Sequence, residues 1–415
     1  MDRINQLFLE ALGASVKDET VGWEAGVSAQ EWETLWQLAQ THNVLPMVFE
    51  ATYAAPAARS ADPQMIAQYR RRTVQSVMLQ TMKTSEFLAL LQHLEAAGIT
   101  PSVVKGIVCR SLYPKPDYRM SGDEDVLIPE EQFERCHQAM CAFGMQPVKP
   151  DVDLKAEYEI AYGKPGSALY IELHKKLFPP ESDAYGELNG FFEDAHERTT
   201  HVEIDGASVR TLDVTDHFLY LIFHSFKHFL HSGFGIRQVC DIVLFANRYG
   251  QEIDWGYVLN SCRAAHAELF AAALLKIGER YLTFDPDKAG YPGEWRALNV
   301  DEEDMLNDLL DAGVFGDASM SRKHSSMITL DAVSAQKKGK KGRGSLLKTI
   351  LPPVKDMIPR YPVLKKKPWL LPVTWADRLI RYGREAARSE NNDAAQSIRI
   401  GSERVQLLKK YGVIR

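Results

Sequence analysis

Asp123 and Asp125 stand two residues apart in the segment VVKGIVCRSLYPKPDYRMSGDEDVLIP. At the head of a strand, residues i and i+2 point to the same side. The two carboxylates then share one face and repel each other unless a cation lies between them. Magnesium is commonly held by one or two carboxylates, with phosphate oxygens and waters completing its shell. Two such ions over a triphosphate stabilise both the entering and the leaving oxygen of an in-line displacement. The pair therefore points to phosphoryl or nucleotidyl transfer, although alone it is more often an acidic surface turn. A third carboxylate, Glu172 in YIELHKKLF, lies on a later strand-like run, and an adjacent antiparallel strand would bring it beside the first two. Upstream, Lys105-Gly106 ends a strand and opens a helix, where free backbone N–H groups and an ammonium suit phosphates. Arg119, four residues before Asp123, adds a second cation on the approach loop. The plain alternatives are an ordinary strand-to-helix turn at Lys105-Gly106 and an ion pair between Arg119 and Asp117.

A second constellation lies in DHFLYLIFHSFKHFLHSGFGIRQVCD. Its His217, His224, His228 and His231 are spaced to fall near one helical face. A zinc protease needs H-E-x-x-H, and the residue after His224 is Ser225, so no base is in place. Two readings compete on even terms. In one, Lys227, His228 and Arg237 face a cleft, bind phosphates or orient an acceptor hydroxyl, and His228 acts as a base if neutral near pH 7. In the other, the histidines hydrogen-bond within a core of Phe218, Leu221, Ile222 and Phe229. Arg237 and Asp241 are also spaced for an i, i+4 ion pair.

The elements that must position these groups follow from periodicity. Residues 1–97 read as a helical lobe: Ser28 with Glu31 three residues on is a capping box, and a long amphipathic run stops at Gly98. Residues 98–214 turn to mixed texture, strand then helix then several strands, with Asp205-Gly206 as a hairpin signal between two strand-like arms. Residues 215–311 are helical again and form an acceptor lobe. Residues 312–345, with the run KKGKKGRG, read as a flexible basic linker. Residues 346–415 read as a basic Pro- and aromatic-rich strap and a final helix from Trp375. The expected class is α+β, a small mixed β-sheet flanked by N-terminal and C-terminal helical lobes.

The 415 residues carry a net charge of −6, 45% hydrophobic and 25% charged residues, which excludes a disordered or collagen-like chain. No apolar run reaches the length of about 18 residues that spans a bilayer, and the N-terminus does not read as a secretory signal. Five cysteines without C-x-x-C spacing read as reduced thiols of a cytoplasmic protein. The charge is uneven: residues 337–384 hold fourteen Lys and Arg against Asp356 and Asp377. That excess suggests contact with an anionic ligand, nucleic acid, a membrane surface or the protein's own acidic face. Lys365, Lys366 and Lys367 adjoin Trp369 and Trp375, but repeated prolines forbid one continuous amphipathic helix. A strap closing the cleft with its lysines near a triphosphate is the favoured expectation.

Together, Lys105-Gly106, Tyr113-Pro114, the run R-x3-D-x-D-V-L-I from Arg119 to Ile128, and Glu172-Leu173-His174 form a pattern. With His224, Lys227-His228, Arg237, Asp241 and the tail RYPVLKKKPWLLPVTWADR, it resembles the family of uncharacterised nucleotidyltransferases within the polymerase-β-like superfold. The resemblance covers most of the chain. It implies a short mixed sheet holding three carboxylates, magnesium, and an NTP donor such as ATP. It also implies transfer of a nucleoside monophosphate to an unidentified acceptor hydroxyl or phosphate, with release of pyrophosphate. Asp123 and Asp125 match the metal pair and Glu172 is the candidate third acid. Lys105, Gly106, Arg119, His174, His224, Lys227, His228 and Arg237 are the candidate substrate- and phosphate-binding residues. The chain departs from the superfold at Lys105-Gly106-Ile107, where most members carry Gly-Ser or Gly-Gly. That departure keeps two other classes open: a binding module of the same fold without turnover, and a toxin-like transferase acting on tRNA or protein.

Overall fold

The computed structural model describes residues 1–313, 320–338, 353–358, 360–365, 367–386 and 394–415. Four helices come first: α1 (Arg3–Ser15), α2 (Ala29–Thr41), α3 (Leu45–Thr52) and α4 (Pro63–Ala96). The capping box at Ser28 is formed, with the Ser28 N–H donating to Glu31 Oε2 at 2.8 Å, and α2 buries Trp32, Leu35, Trp36 and Ala39. Asp62 caps α4 and Gly98, at φ +69°, ends the turn beyond it.

The sheet elements follow in the order β1 (Ser102–Val104), α5 (Gly106–Arg110), β2 (Glu124–Leu127), α6 (Phe133–Ala142), β3 (Gln146–Pro147), β4 (Glu159–Gly163), β5 (Tyr170–His174), β6 (Thr199–Ile204) and β7 (Ala207–Leu212). They make a seven-stranded mixed sheet in the order β3-β4-β5-β2-β1-β7-β6. The β6–β7 hairpin turns at Asp205 and Gly206, both with positive φ as that two-residue turn requires. The strand carrying Glu172 does neighbour the Asp125 strand, but it runs parallel to it, not antiparallel. The chain leaves β2 through α6 and the antiparallel β3–β4 pair, so β5, antiparallel to β4, returns in the direction of β2.

Period-two alternation divides the sheet's side chains between two cores. Val103, Val126, Ile160 and Leu173 pack with Phe87, Leu90 and Leu94 of α4 and with Phe133 and Met140 of α6. Val104, Leu127 and Leu212 belong to the larger core on the other face. That core is built by α7 (Val214–Leu230), α8 (Ile236–Tyr249), α9 (Trp255–Ala264) and α10 (Glu268–Tyr281), together with α1 to α3. Two short helices, α11 (Gly293–Arg296) and α12 (Glu303–Ala312), complete this layer.

The expected linker contains an 18-residue helix, α13 (Met320–Lys337), with Ser325 and Thr329 fully buried. The Thr329 hydroxyl donates to Leu230 O at 2.7 Å, which ties α13 to the end of α7. Small polar residues thus lie against the core instead of forming a tether. Beyond α14 (Val354–Met357), the single final helix is two: α15 (Leu371–Ala386) and α16 (Ala394–Lys410), the latter packed on α13. The KKGKKGRG run from position 339 onward and the side chains of Lys365 and Lys366 lie outside the described residues. Lys337 and Lys338, at the head of the basic segment, pair with the protein's own Glu187 and Asp183. No described helix is long and apolar enough to cross a membrane.

Candidate active site

In the parallel β2–β5 pair, Asp125 stands opposite Glu172 and Leu127 opposite His174. Because Val126 and Leu173 turn to the α4 side, Asp125, Glu172 and His174 all face α7. One ligand atom from each of these three lies within 4.8 Å of the others. His174 Nε2 is 3.2 Å from Asp125 Oδ1 and 3.9 Å from Glu172 Oε2, and its Nδ1 is 3.6 Å from Glu159 Oε2 on β4. Asp123, just ahead of β2 and half-buried, stands outside this cluster, although its charge acts on both Lys105 and Glu172. Glu159 was not singled out from sequence. Its place opposite His174 depends on the β4–β5 register, which no local pattern specifies.

The middle residue of Asp-Glu-Asp points the other way. Glu124 is fully buried and accepts from the Ile107 N–H at 2.7 Å, Arg110 Nη2 at 2.8 Å and the Ser121 hydroxyl at 3.1 Å. Its Oε2 also explains Gly106: a Cβ there would lie 2.0 Å from that oxygen, and Gly106 has φ +35°. The Lys105 N–H likewise has an internal partner, His217 Nε2 at 3.0 Å. Two of the backbone donors expected to be open to phosphate are therefore taken by the chain's own Glu124 and His217.

Lys105 is a non-glycine residue at φ +70° and ψ −125°, a conformation that must be held from outside. A relay does so. The Thr211 hydroxyl donates to Val103 O at 2.6 Å, leaving its oxygen to accept from His217 Nδ1 at 3.0 Å, so His217 Nε2 is free to accept from Lys105. Burial pushes the His217 pKa down to about 3, so the ring is neutral and one tautomer satisfies both bonds. The Lys105 ammonium is thereby delivered to Asp125 Oδ2 at 2.8 Å and to His224 Nε2 at 3.1 Å.

The charges in this pocket are set by each other. Burial works against ionised Asp125, but the Lys105 ammonium and His174 hold it well below the usual carboxylate range. Burial likewise works against the Lys105 ammonium, and Asp125 and Asp123 outweigh it and raise its pKa. Glu172 has only the weaker pull of His174, 3.9 Å away. Burial first, then Asp125, Glu159 and Asp123, push it up to about 8, so it carries a proton at neutral pH. His174 is raised: burial opposes its charged form, but the bond to Asp125 and the charges of Glu159, Asp125 and Glu172 prevail. His224 and His228 are held well below the usual histidine range, by burial and then by Lys105 and Lys227 respectively.

The α7 histidines do separate functions. His217 and His224 reach Lys105, His228 stacks edge-on to His224 with ring centroids 4.6 Å apart, and His231 shares a 2.6 Å hydrogen bond with Tyr185. Lys227 is half-buried. Arg119 is paired with Asp241 of α8, not with Asp117, whose carboxylate takes the Thr81 and Thr84 hydroxyls. Arg119 Nε and Nη2 clasp the two oxygens of Asp241, and Tyr113 donates to the same carboxylate at 2.7 Å. Asp241 is therefore not the ion-pair partner of Arg237, despite the i, i+4 spacing. A groove of about 830 Å³ between α2 and α4, lined by Glu33, Gln37, Gln40 and Arg72, shares no residue with the carboxylate cluster.

The donor set fits a divalent cation. Among the described residues, Asp125 Oδ2 is buried without a hydrogen bond of regular geometry and pairs with the Lys105 ammonium. Glu172 keeps its proton for want of positive charge, which a cation at this point would supply. Such an ion would compete with Lys105 for Asp125. No curated protein and no solved structure matches this chain. Residues 28–283, well over half of the chain, match the model of the family described as uncharacterised nucleotidyltransferases, and the chain belongs to that family.

Proposed function

We propose that the protein is a magnesium-dependent nucleotidyltransferase that moves a nucleoside monophosphate from an NTP to an acceptor hydroxyl or phosphate. The observation that supports this reading is the convergence of Asp125, Glu172 and His174 in a chain of a nucleotidyltransferase family. Asp125 and Glu172, with Asp123 at the strand end, would hold the ion, and magnesium suits carboxylates completed by phosphate oxygens and water. When bound, it supplies charge neutralisation for the entering and leaving oxygens. Lys105 neutralises Asp125 in the ligand-free protein and exchanges that carboxylate for a phosphate oxygen of the donor. Neutral His224 accepts a hydrogen bond from the ammonium and keeps the side chain aimed at the pocket. His174 donates to Asp125 and fixes the carboxylate's orientation. The acceptor oxygen bonds to the α-phosphorus, the bond to the bridging oxygen of the departing pyrophosphate breaks, and the proton of an acceptor hydroxyl passes to solvent. The five cysteines, all free, fit a cytoplasmic setting.

The binding-module reading draws on one specific observation, the Lys105–Asp125 ion pair, because a lysine that never leaves Asp125 keeps a metal out. Pyrophosphate release separates the two. The full chain is incubated with each labelled NTP, magnesium and a cell extract as acceptor source, beside Asp125→Asn. Release by wild type alone supports the enzyme. Nucleotide binding without release from any of the four NTPs selects the module.

A further inference from the structure

Asp241 is the carboxylate bonded to Arg119, and it lies within electrostatic reach of a second guanidinium, Arg237. Arg119 is 1% exposed and Arg237 6% exposed. Three of their nitrogens, Arg119 Nη1 and Arg237 Nε and Nη1, are buried with no hydrogen-bond partner among the described residues. Arg237 makes no ion pair there either, and its pKa is lowered, first by burial and then by the charge of Arg119. Two buried guanidiniums thus share one bonded carboxylate, and a buried unpaired charge is strongly unfavourable. A bound anion would supply the missing partner.

The surroundings say what that partner is. Arg237 is the second residue of α8, whose N-cap Gly235 supplies no side-chain cap, so the helix start is electropositive. Helix α8 packs on α5, the helix that opens at Gly106 beside Lys105, and Asp123 acts electrostatically on Arg237. The planar fork of an arginine matches phosphate oxygens in pairs. We infer that Arg237 and Arg119 Nη1 form a receptor for a phosphate group of the donor's polyphosphate, apart from the carboxylate cluster, with Asp241 and Tyr113 fixing the Arg119 fork. The inference rests on the nucleotidyltransferase reading for the identity of the polyphosphate; the charge imbalance stands without it.

The test uses the full chain in EDTA, with inorganic pyrophosphate and AMP as separate probes, read by calorimetry and thermal shift. Wild type is expected to bind pyrophosphate. Arg237→Met should bind it at least tenfold more weakly, yet melt without ligand at the wild-type temperature or above, because an uncompensated charge has been removed. Arg237→Lys should retain intermediate affinity. A structural arginine behaves oppositely. Arg237→Met melting several degrees lower, or failing to fold, would overturn the proposal, as would undiminished pyrophosphate binding by Arg237→Met or by Arg237→Gln. Absence of pyrophosphate binding in wild type, or binding of AMP alone, would also overturn it. Manganese binding to wild type, read by electron paramagnetic resonance, reports separately on the carboxylates. Its absence alongside intact pyrophosphate binding removes the metal site and leaves this one.

Discussion

Asp125 and Glu172 face each other across two parallel strands, and one is ionised while its neighbour holds a proton. The difference lies in their partners. Asp125 has Lys105 at 2.8 Å and His174 at 3.2 Å, whereas Glu172 has His174 only at 3.9 Å and three acids within electrostatic reach. A cation held by both would meet one carboxylate already paired with Lys105 and one that must give up its proton.

Asp125→Asn leaves the Lys105 ammonium buried with His224 as its remaining close partner. Removing one member of a buried pair typically destabilises by about 3–5 kcal/mol. The expected outcome in urea melts is a loss of that order, with Lys105→Met/Asp125→Asn recovering at least half. A single mutant within about 1 kcal/mol of wild type would mean that the pair is not buried as described.

Glu172→Gln should do the reverse. The folded pKa of about 8 lies above the ordinary value of 4.5, so folding takes up a proton between these limits and wild-type stability falls as pH rises through them. Glutamine is free of that penalty. The mutant should match wild type near pH 5 and exceed it increasingly toward pH 8, while its manganese affinity drops. A wild-type advantage at pH 8 without metal contradicts the assignment.

Gly106→Ala places a methyl against Glu124 Oε2, an oxygen anchored by the Ile107 N–H. Overpacking at a buried, hydrogen-bonded carboxylate at positive φ should cost about 2–3 kcal/mol. Unchanged thermal stability would show that Glu124 can swing away.

The relay through His217 predicts an acid limb. A folded pKa of about 3 against 6.5 unfolded means that its stability is complete above 6.5 and lost as pH falls toward 3. At pH 5 this single group accounts for about 2 kcal/mol of loss. His217→Gln should be less stable at pH 7 and show a shallower decline to pH 5. In wild type, nitrogen NMR should place the His217 proton on Nδ1.

Arg119→Met strands Asp241 with Tyr113 as its remaining hydrogen-bond donor, and a loss of about 3–5 kcal/mol is expected. Adding Asp241→Asn should restore much of it. Failure of that rescue would indicate that the guanidinium stabilises something other than this carboxylate.

Much of the site is written in short-range rules. Alternation along β2 turns Asp125 away from Glu124 and Val126, and Glu172 and His174 share a face by the same period of two. Capping at Ser28, the turn at Asp205-Gly206 and the stop at Gly98 are likewise local. Over 320–337 composition registers small and basic residues but not the core that Ser325 and Thr329 meet when α13 docks on α7 and α16.

The residue types and their spacing therefore determined which carboxylates and histidines could share a face. Folding alone decided their partners: that β5 lies parallel beside β2, that the Lys105 ammonium rests on Asp125, and that Asp241 takes Arg119 from 122 positions away over Arg237 four positions away. Such choices depend on which buried charges distant segments bring together. In a low-dielectric interior that proximity outweighs any preference built into neighbouring residues.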